Sequence, residues 1–444
     1  MRIKQTGKIS IGWTVALSLI GLLLLAVLIF AFKIAGAGQQ VKAELAAIAA
    51  KGEPVDVSQL GGSPVPASQN AANDYASAFA ILSAPSADAY KTKYEKLFDS
   101  ASKPFTRLQW EETGQAAKHF ESVVPLVERA ISKPVCKFPV NWSSGVGALF
   151  PHLVRLRELS RYMSARAVVA AHNGEAKECA EALKMSICIS DSIRDEPTLI
   201  ALLVRNAMLR ISTSALRKTM NEITFNESQA KSIDNALAKI DLASHSTCVM
   251  IGERAMGIWC FDQVRSVGYR GLMGSSGSAS AAGNNVMMKT FINQDELYYL
   301  RMMKSEIENV SLTYREVKAR HISPSFNPPH YAVMSALLTP VYGRVRKLRD
   351  AATADISCAR VCLGLQAYKS RFGSYPATLN ELRSKLKWQL PIDPFSGKNL
   401  VYKRQGKGFF LYSLGPNMRD DGGCPCPANS SGSTTGDIVW QIVK

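Results

Sequence analysis

The chain has 444 residues, enough for about three domains and a well-buried core. Its 53 Lys and Arg against 36 Asp and Glu give a net charge of +17, and with 47% apolar and 20% charged residues it is not a disordered polyelectrolyte. The 30 Gly and 20 Pro are near average usage and exclude collagen-like and low-complexity chains.

Residues 1–8 carry Arg2, Lys4 and Lys8 and precede an uncharged stretch, Ile9 to Phe32, of 24 positions. As a helix it would extend about 36 Å, which crosses a bilayer core with some tilt. The run from Leu22 to Phe30 shows no amphipathic alternation, so residues 9–32 are read as a transmembrane helix. The positive-inside rule, weighing Arg2, Lys4 and Lys8 against Lys33, Lys42 and Lys51, puts residues 1–8 in the cytoplasm and the bulk of the chain outside it. The rival reading is a signal peptide cleaved near Ala35-Gly36-Ala37. Against it, the apolar stretch exceeds the roughly 7–15 residues of a signal-peptide core. Residues 33–69 read as a linker, in which Gly52, Pro54, Gly61, Gly62, Pro64 and Pro66 form a semi-extended spacer.

Residues 70–345 supply one amphipathic segment after another at helical period and few alternating runs, which predicts a mainly α-helical domain. The clearest helices are Leu153 to Ala171, stopped by Asn173-Gly174, Glu175 to Ser192, and Thr198 to Met220, with Pro197 suited to a first turn. Small residues such as Ala165, Ala170 and Ala180 allow close helix approach, in an irregular bundle or in an array of helix-hairpin repeats. No second copy recurs at a fixed period. The small, polar stretch Gly271 to Asn285 is predicted to be a loop (near 271–287), and His321 to Pro329 a second break.

Residues 346–444 read as a separate α+β module. Arg346 to Phe372 forms one long helix ending at Gly373, and Tyr375 to Leu382 a turn and short helix. Leu400 to Tyr402 and Gly408 to Ser413, separated by Gln405-Gly406-Lys407, form a hairpin. This module has 15 Lys and Arg against 7 Asp and Glu, a basic excess that attracts anionic surfaces such as lipid headgroups or acidic polymers.

No enzyme signature emerges. None of the six histidines is followed by the Glu of a zinc-protease motif, and no Walker A loop, dinucleotide loop or G-x-S-x-G elbow is present. Nine cysteines leave an odd thiol. Cys358 and Cys362 share one helix face, as buried thiols or as a soft-metal pair, and Cys424-Pro425-Cys426 suits a redox switch or pairing with distant cysteines. The anchor and the lack of a binding motif argue against nucleic acid.

Tyr368, Gly373, Tyr375-Pro376, Leu379, Leu382, Pro391, Asp393-Pro394-Phe395, Gly397, Tyr402, Tyr412 to Asn417, Asp420 to Gly423 and Asp437 to Trp440 together resemble the carboxy-terminal domain of the type II secretion major pseudopilin, protein G. The resemblance covers about 95 of the 444 residues. It implies a bacterial inner-membrane protein with its bulk in the periplasm. It also implies a final loop that binds Ca²⁺ through hard oxygen ligands, here Asp420, Asp421 and Asp437 with Leu414 (by its carbonyl) and Asn417.

Two departures separate the chain from a filament subunit. Gly7 is followed by Lys8, and the fifth position after it is Gly12 where a prepilin has Glu. The anchor is also separated from the pseudopilin-like head by residues 33–345, whereas a pilin's apolar helix runs directly into its head. The expectation is therefore a non-catalytic, membrane-anchored interaction or structural protein that meets other envelope or secretion proteins. The alternatives are an accessory pseudopilin, and an envelope enzyme with a nonstandard site in the helical domain.

Overall fold

The computed structural model describes residues 11–95, 97, 105–273, 281–322, 328–338, 342–425 and 436–442. The helices are α1 (Ile11–Ala50), α2 (Ala72–Leu82), α3 (Asp88–Glu95), α4 (Arg107–His119), α5 (Val124–Ser132), α6 (Pro151–His172), α7 (Ala176–Asp191) and α8 (Leu199–Glu222). They continue with α9 (Glu227–Ala238), α10 (Leu242–Met273), α11 (Ala281–Asn309), α12 (Tyr314–Ala319), α13 (Val333–Leu338), α14 (Tyr342–Phe372) and α15 (Leu379–Leu386). Three strands follow, β1 (Val401–Gln405), β2 (Gly408–Ser413) and β3 (Ile438–Ile442), paired antiparallel in the order β1-β2-β3. The protein is thus mainly helical with a small antiparallel sheet near its carboxy terminus.

The chain divides into two compact units: Met1–Asp56, Arg254–Ser305 and Phe326–Pro340 in the first, and Val57–Glu253, Glu306–Ser325 and Val341–Lys444 in the second. These units cut across the boundaries read from the sequence, because the 346–444 module shares its core with the helices before it. Buried residues of α6 to α9, α14 and the sheet, among them Leu156, Leu183, Leu216, Ile233, Leu363, Leu411 and Trp440, form one continuous apolar cluster. From Ile356 to Tyr368 every residue of α14 except Arg360 is buried. This follows from its packing against α8 and α9 as well as against β2, β3 and α15.

Local chemistry sets the helix ends. The side chains of Thr198 and Asn226 accept from the third backbone N–H of α8 and α9, and Gln229 closes a capping box on α9. Thr198 is the N-cap of α8, so Pro197 lies just outside the helix instead of in its first turn. Gly174, at φ +80°, ends α6 in the left-handed conformation that glycine adopts without strain. Between α6, α7 and α8, small residues bring the backbones close, and the buried Ser186 hydroxyl lies 2.8 Å from that of Ser164 and 2.7 Å from that of Ser212. Each buried hydroxyl there has a partner.

In the first unit, Asp295 caps α13 by accepting from the backbone N–H groups of Met334 (2.7 Å) and Ser335 (3.1 Å). Buried Glu296 pairs with Arg265. Of the predicted membrane span, residues 9 and 10 lie outside the described residues. From Ile11 the backbone is helical to Ala50, so the segment read as a linker from residue 33 begins as a continuation of that helix. Val15, Leu19, Ile20 and Leu22 to Leu25 are each more than half exposed. Among the described residues, the helix long and apolar enough to cross a membrane by length and composition is α8 instead, and 56% of its most apolar window is buried inside the protein. The loop predicted over Gly271 to Asn285 is helical at both ends, in α10 to Met273 and in α11 from Ala281, and residues 274–280 lie outside the described residues.

Candidate functional site

The predicted metal residues lie at the end of the sheet, and α14 is what holds the sheet in place. Asp355 on α14 accepts from the Trp440 indole N–H on β3 (2.8 Å), the Thr213 hydroxyl (2.5 Å) and Arg217 (3.0 Å). The Arg217 guanidinium also lies over the Trp440 ring, 4.4 Å from its centroid. One carboxylate therefore ties α8, α14 and β3 together. The strand ladder is set by a two-residue hairpin at Gly406-Lys407, which pairs Gln405 with Gly408 and Val401 with Tyr412.

After β2 the chain turns sharply, and buried Asp393 organises the turn. Its carboxylate accepts from the Ser413 hydroxyl (2.6 Å) and from the backbone N–H groups of Leu414 (3.3 Å), Phe395 (3.1 Å) and Ser396 (3.2 Å). Gly415 follows at φ +64°, where a Cβ would stand 2.0 Å from the carbonyl oxygen of Gly436. No side chain fits there.

The acidic residues come next. Asp420 accepts from the Tyr412 hydroxyl and the Gly422 N–H, both at 2.9 Å, and these bonds hold its carboxyl below the usual range. Burial, and then the same bond to Asp420, pushes Tyr412 up to about 12. Asp421 accepts from the Asn417 amide at 2.6 Å. Asp437, 1% exposed, uses one oxygen to accept from the N–H groups of Asp421 (3.1 Å) and Gly423 (2.7 Å). Its other oxygen is buried and has no hydrogen-bond partner among the described residues. Burial, reinforced by the like charges of Asp421 and Asp420, raises the Asp437 carboxyl.

The structure therefore links Asn417 to Asp421 and Asp421 to Asp437, joins Asp420 to Tyr412, and ties Leu414 to Asp393 through its N–H. Among the described residues no group of three His, Cys, Asp or Glu is gathered to hold a metal ion, and loop residues 426–435 lie outside the described residues. The stranded Asp437 oxygen, next to the like-charged Asp420 and Asp421, is the one feature that fits a hard cation.

The cysteines of α14 behave as packing groups. Cys358 and Cys362 are 0% and 1% exposed, and burial holds both thiols far above their ordinary value. Both side chains lie in the apolar core that α14 shares with the sheet and the preceding helices. In the helical part, a cleft of about 360 Å³ is lined by Tyr75, Cys136, Cys188, Ser192, Lys184 and Lys239 among others. Burial pushes Cys136 up to about 12, so it is no ready nucleophile. Sequence reading named Asp393 only as part of the resemblance, without its role in the turn, and missed Asp355, whose partners are distant in the chain. It also missed a basic groove beside Trp388, for which the spacing Arg383, Lys385, Lys387 ahead of a lone Trp was the available signal.

No family model matches the chain, and neither the curated proteins nor the solved structures contain a match to it.

Proposed function

We propose that the protein is a membrane-tethered, non-catalytic component of the bacterial envelope. Its bulk lies outside the cytoplasm, its helical part meets other envelope or secretion proteins, and its carboxy-terminal head is pseudopilin-like and stabilised by Ca²⁺. One observation carries the reading: a long helix backs a three-stranded antiparallel sheet whose last loop contains Asp420, Asp421 and Asp437, with one buried Asp437 oxygen lacking a partner among the described residues. The exposed apolar side chains of α1 support the tether. The shared core between α14, α8 and α9 supports a head that works as part of one body with the helices. A Ca²⁺ ion would be held first by Asp437, with Asp421 and Asp420 as the further candidate ligands, and would offset the charge of these carboxylates.

The test is thermal unfolding of the full chain in a neutral detergent, with calcium and with chelator. A ligand bound only to the native state at 100 times its Kd adds about 2.7 kcal/mol. For a unit of this size the transition should rise on the order of 5 °C. The rise should disappear in the Asp420→Ala/Asp421→Ala variant. An unchanged transition in well-folded protein would remove calcium from the proposal and leave only the likeness of architecture.

A further inference from the structure

The basic excess of residues 346–444 is concentrated, in part, on one cavity. A groove of about 610 Å³ is lined by Arg360, Arg383, Lys387, Trp388, Gln389, Leu390 and Pro391, three cations and no carboxylate. Its form follows from the end of α15. Lys387 adopts the left-handed conformation at φ 50°, which breaks the helix and turns Trp388 inward. The Trp388 indole N–H donates to the carbonyl of Arg360 at 3.0 Å. Its ring lies against Gly364, where a Cβ would approach to 2.8 Å, so only glycine leaves room.

The three cations differ in their commitments. Arg360 donates from Nε to Asp234 at 2.7 Å, and its buried Nη2 has no acceptor among the described residues. Arg383 and Lys387 are exposed and enter no ion pair among the described residues. The nearest acid in sequence, Glu381, is already engaged by Lys385, the Tyr368 hydroxyl and the Ala377 N–H. Cations in the last turn of a helix ordinarily complement its carbonyls. That explains Arg383, but not the convergence of three cations on one cavity.

We propose that this groove is a phosphate-binding site. A phosphate oxyanion offers several acceptors at once: two for the planar fork of Arg383 and one for the Lys387 ammonium, with the Arg360 charge beside them. Two sources share this chemistry, a free phosphate or phosphomonoester and the headgroup of an anionic phospholipid. The site is independent of the calcium loop and of the pseudopilin-like reading.

The test is calorimetric titration of the full chain in neutral detergent with two ligands in separate arms, inorganic phosphate and micelle-free dihexanoyl phosphatidylglycerol. Saturable binding is expected in at least one arm, weakened at least about tenfold by Arg383→Gln/Lys387→Gln and weakened by added salt. Both replaced side chains are exposed, so the variant should fold, and its unchanged far-ultraviolet dichroism would verify that. Phosphate binding assigns a soluble source, and binding of the lipid alone assigns a headgroup. Binding in neither arm, or binding that the double variant leaves intact, overturns the proposal.

Discussion

Replacing Asp191 by alanine should destabilise the second unit by about 3 to 5 kcal/mol, the cost of leaving a buried charge without its partner. The charge is Arg205 on α8, whose side chain is 1% exposed. It donates to Asp191 at 2.5 Å and to the carbonyl of Asp241 at 3.2 Å, while its Nε has no partner among the described residues. The ion pair pins the end of α7 to α8 at the point where the chain turns from one to the other. Asp191→Asn retains an acceptor and should cost less. The double replacement Asp191→Leu/Arg205→Met removes both charges and should recover much of the loss, since apolar groups of similar volume often replace buried pairs without penalty. Urea unfolding followed by tryptophan fluorescence reads all three. A loss below about 1 kcal/mol for the alanine variant would mean that Arg205 finds another acceptor.

The second large effect is an acid sensitivity located at His245. Burial, with a contribution from the nearby Arg205 charge, lowers this histidine to about 4. Its Nε2 lies 3.1 Å from the carbonyl oxygen of Glu196 and donates to it, while Nδ1 is buried with no partner among the described residues. A second proton would therefore sit on a nitrogen with no acceptor. In the unfolded chain the same ring takes that proton near its ordinary value of 6.5. Between these two values the unfolded state binds more protons than the native state, so stability is complete above the upper value and falls as the pH drops toward the lower one. The full difference is about 3 kcal/mol. His245→Gln can still donate to the Glu196 carbonyl and does not titrate. Its unfolding free energy should decline less than that of the wild type between neutral and pH 4, by about that amount. Parallel pH profiles for the two proteins would contradict the assignment.

Much of the fold was legible because its signals are local. The ends of α6, α7 and α8 fall within two residues of the predicted ones, because Asn173-Gly174 and Thr198 act on the backbone beside them. The β1-β2 hairpin followed from Gly406-Lys407 between two β-rich runs. What was hidden depends on residues far apart in the chain. Nothing near Asp355 announces that Trp440, 85 positions away, and Thr213, 142 positions away, both donate to it. The periodicity of α14 identified a helix, but not that almost every face of it is buried, which is why the carboxy-terminal module was read as separate. The small, polar composition around Gly271 to Asn285 suggested a loop, yet Ala281 and Ala282 start a helix, a residue type with high helix propensity overriding its surroundings. In the acidic loop the sequence marked the carboxylates, and their division of labour depends on Tyr412, Asn417 and Gly423. Asp420 and Asp421 are held by neighbours, and Asp437 keeps a buried oxygen with no partner among the described residues.

The central claim is that the folded bulk of the chain stands outside the cytoplasm on a membrane tether, and Cys424 makes it directly measurable. Among the described cysteines Cys424 is the exposed one, and the rest are buried or half-buried. Cells with a permeabilised outer membrane and an intact inner membrane would be treated with an impermeant reductant and then an impermeant maleimide. A Cys424→Ser variant would identify the labelled position. The expected result is labelling of Cys424 without lysis, on a protein that stays with the membrane through an alkaline wash. Labelling only after lysis, or a chain released by the wash, would contradict it.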